Sequence, residues 1–358
     1  MTLLKFEYSD ADWEIQDLDL GKVNLILGKN ATGKTRTLVV LVLLIKILNE
    51  KFVWKKPGIW KIELCGNACN HIIYNFSINN SEGNVASEEL SLNNEVILNR
   101  KENGSCLIKN FLTSQFEEIY PPKNKLALHT TRDLKKFPIF EDLIEWAENS
   151  FGFLFANVNP YTTTNQYEFF FADINHNSIP ELFKSLNEES RLTVLHQLKT
   201  IGFNITTIGY TEDIDKRVTI NVTEDAISST LPHHQLSQGM YRALSLVIFL
   251  ENLVSKNKPY LLVIDDLCEG LDYDRAKKLG ELIFNRCLSS NIQLIATSND
   301  VFLMDVVDIK YWNVLTRTGN KVATINYKNT PEVFDDFRFT GLSNFDFFAS
   351  DFIKQELE

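Results

Sequence analysis

The stretch Gly28-Lys29-Asn30-Ala31-Thr32-Gly33-Lys34-Thr35 matches the pattern G-x-x-x-x-G-K-[ST]. In this pattern the glycines let several backbone N–H groups converge on phosphate oxygens at the start of a helix. The lysine reaches the β- and γ-phosphates, and the threonine hydroxyl is a ligand for Mg²⁺. An apolar run at 23–27 predicts a strand before the loop, and the residues from Thr35 to about Lys51 predict a helix after it.

A second stretch, Leu261-Leu262-Val263-Ile264-Asp265-Asp266, predicts a buried strand that ends in two carboxylates. Enzymes with a phosphate-binding loop place a Mg²⁺-holding acid at such a strand end, followed by an acid that polarises the attacking water. We therefore assign Asp265 to the metal and Asp266 to the water. An acid pair after an apolar strand is more often an ordinary strand end, so this assignment depends on its occurrence together with the loop at 28–35.

A third stretch, Leu236-Ser237-Gln238-Gly239-Met240, precedes a predicted apolar helix that ends near Val254. A serine hydroxyl and a glycine amide at a helix start form an anion site. Beside a complete phosphate loop, such a site has a purpose when it serves a second nucleotide. The simpler alternative is an ordinary serine N-cap with a glycine nearby.

Working outward from these stretches, we expect an α/β core assembled from two separated parts of the chain. Residues 1–55 form its N-terminal lobe, and residues 231–320 form its C-terminal lobe. In the C-terminal lobe, the apolar run at 260–264 and the segment 293–297 predict strands, and the residues from about Tyr273 to Leu288 predict a helix between them. Alternating apolar residues between turns predict an antiparallel β subdomain at 56–125. Helical spacing over 140–151 and over 179–201 predicts helices of a lid at 126–230, inserted between the loop and Ser237. Residues 321–358 form a last segment.

The composition is 44% apolar and 23% charged, which excludes wholesale disorder. A net charge of −11 opposes non-specific binding to nucleic acid unless Lys and Arg cluster locally. The longest apolar run, 38–48, is too short to cross a bilayer. Five irregularly spaced cysteines form no disulfide framework. We expect a cytoplasmic protein with no membrane partner.

The order of these stretches resembles that of ABC-type ATPases. Within them it is most similar to the RecF/SMC-like branch, which includes DNA repair proteins, OLD-type proteins and bacterial anti-phage defence ATPases. Residues 236–239 match the family signature, Asp265-Asp266 its Walker B pair, and Glu269-Gly270-Leu271-Asp272 its D-loop. The segment 295–300 falls where the family carries its switch histidine.

The resemblance implies an ATPase that uses ATP and Mg²⁺ and dimerises, each ATP lying between the phosphate loop of one copy and the signature of the other. Asp272 would then cross the dimer interface. The implied catalytic residues are Asp266 and Asn299, and the implied metal ligands are Thr35 and Asp265. The implied nucleotide-binding residues are Gly28, Lys29, Asn30, Ala31, Thr32, Gly33, Lys34, Thr35, Arg36, Ser237, Gly239 and Asp272.

Three departures from the family pattern bear on turnover. Asp266 stands where many relatives have glutamate, which implies slow hydrolysis. Asn299 replaces the switch histidine, so it can hydrogen-bond a phosphate but cannot transfer a proton near neutral pH. The family's Q-loop glutamine is left unassigned between Gln115 and the segment His129–Thr131.

Spacing separates the branches of the family. Lys34 and Ser237 are 203 positions apart, about twice the interval of a transporter ATPase, which argues against transport. The interval shows no sustained heptads, so we expect a compact lid in place of a long coiled coil. The Phe- and Asp-rich segment from Phe334 to Phe352 is either a final element that packs its rings on the core or a docking patch for a partner.

The resemblance to this family implies an ATP-dependent dimerising switch that acts on a separate effector protein, with a role in bacterial anti-phage defence. No second catalytic constellation is visible in the sequence. The alternative is a RecF-like ATPase that binds DNA in repair or recombination. A nucleotide-binding scaffold without turnover is a third hypothesis, which applies if Asp266 and Asn299 support no hydrolysis.

Overall fold

A computed structural model describes residues 1–50, 56–66, 70–79, 82–154, 179–225 and 230–349. The chain divides into two compact units. The first comprises Met1–Ser150 and Asn313–Pro331, and the second comprises Phe151–Trp312 and Glu332–Glu358. Each unit therefore combines segments that are distant in the sequence.

The strands of the described residues are numbered in chain order. They are β1 Thr2–Ser9, β2 Glu14–Asp19, β3 Val23–Leu27, β4 Gly58–Cys65, β5 His71–Ile78, β6 Val85–Leu92, β7 Glu95–Arg100, β8 Cys106–Lys109, β9 Phe116–Ile119, β10 Ser150–Leu154, β11 Ile205–Glu212, β12 Val218–Glu224, β13 Thr230–Pro232, β14 Tyr260–Asp265, β15 Ile292–Thr297, β16 Trp312–Thr318 and β17 Lys321–Asn326.

The α-helices of the same residues are numbered in the same way. They are α1 Lys34–Leu48, α2 Ala127–Thr130, α3 Pro138–Glu148, α4 Ile179–Ser185, α5 Glu188–Ile201, α6 Gln238–Lys256, α7 Tyr273–Leu288, α8 Val301–Val306, α9 Pro331–Thr340 and α10 Asn344–Ala349. None of them is long and apolar enough to cross a membrane, a statement that covers the described residues only.

The first unit contains a mixed sheet with the strand order β3-β16-β17-β2-β1-β4-β5-β6-β7-β8-β9. β17 and β2 pair in parallel, whereas β1 pairs antiparallel with β2 and β4. From β4 to β9 each strand pairs antiparallel with the next. Alternate side chains of β5 are buried, as expected for a strand with one face on a core.

Helix α1 follows β3 in the first unit, and apolar residues surround most of its circumference. Residues 38, 41, 44, 45 and 48 are all fully buried. A helix that is apolar on nearly all sides is a core helix. Each such Leu or Ile side chain contributes roughly 1.5–3 kcal/mol to the free energy of folding when it is buried. The first turn of α1 is therefore held in place by the tight packing of the rest of the helix.

The second unit contains the strand order β10-β14-β15, and β14 and β15 run in parallel. Every residue of these two parallel strands is buried. A separate antiparallel sheet has the order β11-β12-β13. The helical lid stays a prediction, and the described part of residues 126–230 holds strands β10, β11 and β12 as well as helices.

Two predicted helices have different bounds in the structure. The pattern over 179–201 predicted one helix, but α4 ends at Ser185 and α5 begins at Glu188. The break occurs because the Asn187 side chain accepts a hydrogen bond from the Ser190 N–H, which makes it the N-cap of a new helix. The helix predicted over 140–151 ends at Glu148, and β10 starts two residues later.

Strand β2 was not predicted from the sequence. Its buried residues, Ile15 and Leu18, are three positions apart, so the two-residue alternation of a strand is lost. The structure explains the spacing, because the register of β1 against β2 shifts between Phe6 and Tyr8, and Asp17 has a left-handed φ of 54°. An irregularity of this kind inserts an extra residue into one strand.

Three aromatic residues of the C-terminal segment pack inside the second unit, and Phe352 lies outside the described residues. Phe334, Phe337 and Phe347 of α9 and α10 are buried. The Phe347 ring lies 5.0 Å from that of Phe334 and 4.5 Å from that of Phe337, between ring centroids. It also lies 6.1 Å from the ring of Trp312. These three phenylalanines therefore follow the core-packing interpretation.

Candidate functional site

The loop at residues 28–35 connects the end of β3 to the start of α1, and its backbone requires glycine at two positions. A methyl group on Gly28 would clash with Thr32 Oγ1 and would lie 3.0 Å from the Leu315 carbonyl oxygen. Gly33 has a left-handed φ of 104° and is the N-cap of α1. Glycine adopts this conformation without steric cost. The two glycines of the sequence pattern thus serve the tight turn that the pattern predicts.

The Lys34 side chain folds back over this loop. Its Nζ donates to the Gly28 carbonyl at 2.7 Å and to the Lys29 carbonyl at 3.4 Å, and the residue is only 7% exposed. Thr35 is exposed at the first turn of α1, which contains no acidic residue. The unpaired N–H groups of a helix start favour anions. A cation and a helix N-terminus therefore lie together at the loop.

Three side chains that the sequence patterns did not identify surround the loop. The Trp13 indole Nε1 would lie 3.2 Å from a methyl group on Gly33. Asp10 accepts from Arg36 Nη2 at 3.1 Å. Arg317 of β16 donates to the Ala31 carbonyl at 3.3 Å. No spacing rule connects these residues to the loop, because their contacts come from the pairing of strands β1, β2 and β16.

The two acids at the end of β14, Asp265 in the strand and Asp266 directly after it, are held by one buried threonine. Thr297 Oγ1 donates to Asp265 Oδ1 at 2.6 Å and accepts from the Asp266 N–H at 2.8 Å. Thr297 is fully buried and Asp265 is 6% exposed. Asp266 has a left-handed φ of 49°, a conformation that is uncommon outside glycine. The carboxylate of Asp265 is thus fixed in direction, and the backbone turns sharply at Asp266.

The serine and glycine at residues 237 and 239 lie at the start of α6. Ser237 is exposed and is the N-cap, with its Oγ accepting from the Met240 N–H at 3.3 Å. A methyl group on Gly239 would lie 2.5 Å from the Gly270 carbonyl oxygen. Glycine is therefore needed here because the turn at Gly270 lies directly against the start of α6.

Arg242 connects the same helix to the two acids. It is 4% exposed. Its Nη2 donates to the Asp265 carbonyl at 3.2 Å and also to the Asp266 carbonyl, and its Nη1 donates to Glu269 Oε2 at 3.1 Å. Burial lowers the pKa of this guanidinium, although the Glu269 carboxylate raises it in part. In the second unit, one buried cation thus fixes the start of α6, the acid pair and the turn after it.

Two implied residues occupy exposed positions in the second unit. Asp272 is the N-cap of α7: it accepts from the Arg275 N–H at 3.1 Å and pairs with Arg275 Nη1 at 2.8 Å. These contacts hold the pKa of Asp272 below its usual value, the backbone hydrogen bond most of all. Asn299 is exposed in the turn after β15. Both positions are open to a ligand or a second chain.

The comparisons with known proteins identify the fold. No protein-family model and no curated protein matches the chain. A crystal structure of an SMC head bound to the C-winged helix domain of ScpA matches with 11% identity and a TM-score of 0.51, covering 93% of this chain and 100% of that one. The SMC head from Pyrococcus furiosus, with an extended coiled coil and bound to the C-terminal domain of ScpA, matches with 9% identity and a TM-score of 0.54, covering 94% and 99%.

This chain has the fold of an SMC head. SMC heads have the ABC-type ATPase fold, so the predicted mixed α/β architecture is confirmed at that level. Identities of 9% and 11% show the fold alone. The OLD-type and anti-phage branch of the predicted resemblance therefore stays a prediction, as do the roles of individual residues.

The two positions left open for the Q-loop, Gln115 and the segment His129–Thr131, have different surroundings in the structure. The His129 side chain is only 6% exposed, and its Nε2 lies 2.9 Å from the Leu48 carbonyl oxygen at the end of α1. Burial lowers the pKa of His129. Gln115 is exposed and follows the turn before β9. His129 therefore contacts the far end of the helix that begins at the loop, whereas Gln115 lies at the edge strand.

The donors available for a metal fit magnesium. Among the described residues, no group of three or more His, Cys, Asp or Glu side chains forms a metal cage. Mg²⁺ in nucleotide sites is commonly held by one or two protein oxygens together with phosphate oxygens and waters. Thr35 in the first unit carries a hydroxyl oxygen of this kind, and Asp265 in the second unit carries a carboxylate oxygen.

Proposed function

We propose that this chain is a Mg²⁺-dependent ATPase that dimerises around ATP. The triphosphate binds the loop Gly28–Arg36, and Ser237 and Gly239 of a second copy contact its γ-phosphate. Asp272 reaches across the same interface. The observation that carries the proposal is the loop itself, in which Lys34 lies over a glycine-shaped turn at the start of α1. The SMC-head fold supports the same class of activity.

The proposed chemistry uses the acid pair at the end of β14. Asp265 and Thr35 would hold Mg²⁺, and the ion would supply positive charge for the β- and γ-phosphates. Asp266 orients and polarises the attacking water, and Asn299 donates a hydrogen bond to the γ-phosphate. The Asp265 carboxylate is already directed by Thr297, so little reorganisation is needed when the metal binds.

The proposed biological role is that of a switch. The closed dimer holds or releases a separate effector protein, and the setting is bacterial anti-phage defence. Two heads of the same fold were solved with a bound fragment of ScpA, which supports partner binding as a use of this fold. The net charge of −11 favours a protein partner over a DNA backbone.

Titration with a fluorescent ATP analogue tests the loop assignment. The wild-type chain should bind with Mg²⁺ present, and Lys34→Ala should lose nearly all binding, because the ammonium that meets the β- and γ-phosphates is gone. Lys29→Ala removes an exposed cation of the same loop and is the matched control, with a much smaller loss. Normal ATP affinity in Lys34→Ala would contradict the proposal.

The partner class is tested separately. Co-purification with a neighbouring gene product, together with indifference to DNA, supports the effector switch. ATP-dependent binding of duplex DNA that weakens steeply with salt would instead support the RecF-like alternative.

A further inference from the structure

A cluster of three side chains lies beside the first turn of α1, and the proposed function gives it no role beyond binding by Arg36. The Arg36 guanidinium lies 5.1 Å above the centroid of the Trp13 ring. Its Nη2 donates to both oxygens of Asp10, at 3.1 and 3.4 Å. Asp10 also accepts from the Tyr8 hydroxyl and the Asp12 N–H, each at 2.8 Å. Arg36 is thus held by a carboxylate that is itself anchored.

The Trp13 side chain connects this cluster to the loop. Trp13 is fully buried, and its indole N–H has no hydrogen-bond partner among the described residues. This N–H faces Gly33, the residue at which the loop becomes helix. A buried donor without an acceptor costs free energy. The cluster therefore has an unused donor on the side of the anion site.

The position of Arg36 on the helix separates it from Lys34. Residues of an α-helix are about 100° apart, so Arg36 projects about 200° around the axis from Lys34. The loop pattern assigns Lys34 to the β- and γ-phosphates. The Arg36 side chain is 42% exposed, so its guanidinium is available for a phosphate that Lys34 does not contact.

We propose that Arg36 is a latch that senses the nucleotide. In the free chain Asp10 holds Arg36 over Trp13. When a nucleoside di- or triphosphate enters the loop, its nucleoside-side phosphate displaces the Asp10 carboxylate and forms an ion pair with the Arg36 guanidinium. The turn between β1 and β2, which carries Asp10 and Asp12, is thereby released from α1. This inference rests on the proposed function and adds to it that Asp10 opposes nucleotide binding.

The electrostatics of Asp10 favour this exchange. Burial raises the pKa of Asp10. Hydrogen bonds from Tyr8 and Asp12 and the charge of Arg36 lower it by more than burial raises it, so the net shift of the pKa is downward. Asp10 is thus a carboxylate at neutral pH and competes with phosphate for one cation. A guanidinium binds either anion through the same paired N–H groups, so the phosphate can replace the carboxylate without moving the helix.

The test is a titration of ATP and ADP analogues into five proteins at low salt: wild type, Asp10→Asn, Asp12→Asn, Arg36→Gln and the double variant Asp10→Asn/Arg36→Gln. Asp10→Asn should bind both nucleotides about threefold more tightly, the range expected for one exposed ion pair. Arg36→Gln should bind both more weakly, by a similar factor. In the Arg36→Gln background, Asp10→Asn should change nothing. Asp12→Asn removes a nearby charge that does not touch Arg36 and should have little effect.

Weaker binding by Asp10→Asn would overturn the latch, because Asp10 would then be a brace for Arg36. The latch would also be overturned if Asp10→Asn increased nucleotide affinity equally in the wild-type and Arg36→Gln backgrounds. The increase would then reflect only the loss of a negative charge near the phosphates. Tryptophan emission gives a second readout: the change on adding ADP should disappear in Trp13→Phe although binding persists. If the wild type binds no nucleotide, or Lys34→Ala binds normally, the proposed function fails, a result distinct from failure of the latch.

Discussion

At the scale of single residues, Thr297 decides the geometry of the acid pair. Its one hydroxyl donates to Asp265 and accepts from the backbone of Asp266. The sequence did not indicate this role, because threonine is common in strands and its partners lie on the neighbouring strand. The parallel pairing of β14 with β15 brings Thr297 next to Asp265 and Asp266. A local sequence pattern does not predict such a contact between strands.

We predict that Thr297→Val lowers ATP turnover at least tenfold while ATP affinity changes little. Valine has nearly the same shape but removes the hydrogen bonds that the Thr297 hydroxyl makes to Asp265 Oδ1 and to the Asp266 N–H. The loss of stability should be about 1–3 kcal/mol. Steady-state hydrolysis, ATP titration and chemical unfolding measure the three quantities.

Thr297→Ser is the matched variant, since it keeps the hydroxyl and removes only a methyl group. It should retain most of the activity. If Val and Ser variants hydrolyse ATP equally fast, the hydroxyl does not organise the acid pair.

At the scale of secondary structure, the start of α6 and the turn at Gly270 act as one packed element. We predict that Gly239→Ala destabilises the protein by about 1–3 kcal/mol and abolishes ATP-dependent dimerisation. The added methyl group would lie 2.5 Å from the Gly270 carbonyl oxygen, so the helix start must move away from the turn. Light scattering with ATP measures the dimer, and thermal unfolding measures the stability.

Gln238→Ala, at the exposed neighbouring position, is the control for Gly239→Ala and should behave as wild type. A Gly239→Ala protein that still dimerises with ATP would show that the spacing between α6 and this turn is not needed for assembly.

His233 connects the small antiparallel sheet to the segment before α6. Its Nδ1 accepts from the Ile220 N–H of β12 at 3.2 Å, and its ring stacks on Tyr241 at 5.6 Å between centroids. Burial, with a smaller effect from His234, lowers the pKa of His233 to about 4. The unfolded chain, with a histidine pKa near 6.5, therefore binds a proton first as the pH falls.

We predict that the second unit loses stability as the pH falls from about 6.5 to about 4, by roughly 2 kcal/mol after allowance for partial exposure. Above pH 6.5 both states are neutral at this residue, so the contribution is constant. Urea unfolding at a series of pH values measures it. His233→Asn keeps an acceptor for Ile220 but does not titrate, and an unchanged pH slope in this variant would assign the effect to other groups.

Much of the fold was predictable from the sequence where a short apolar run or a helical period dominates. The predicted bounds of β3 and α7 agree with the structure, and those of β14 and β15 differ by one residue at one end. Patterns failed where the backbone is irregular, as at β2, or where a single cap interrupts a helix, as at Asn187. In the site, the loop glycines were predictable from spacing, whereas Trp13, Thr297 and Arg242 act through tertiary contacts alone.

At the scale of the whole molecule, the described residues place one helix start with a phosphate-type sequence pattern in each unit. Lys34 and Gly33 mark the first, and Ser237 marks the second. One chain needs only one such start for one triphosphate. Two helix starts are explained if each nucleotide of a dimer binds the loop of one copy and the Ser237 helix start of the other copy. This is the dimer that we propose.

The proposed dimer predicts opposite results for two variants. Asp266→Asn should bind ATP, hydrolyse it at least a hundredfold more slowly and accumulate as an ATP-bound dimer, because the polarising carboxylate is lost while the interface is intact. Asparagine is the suitable substitution, since it tolerates the left-handed φ of 49° at this position. Ser237→Arg should bind ATP normally at the loop but remain monomeric and inactive, because a bulky cation replaces an exposed hydroxyl at the start of α6. Light scattering with Mg-ATP distinguishes the two, and a monomeric Asp266→Asn at saturating ATP would contradict the shared site.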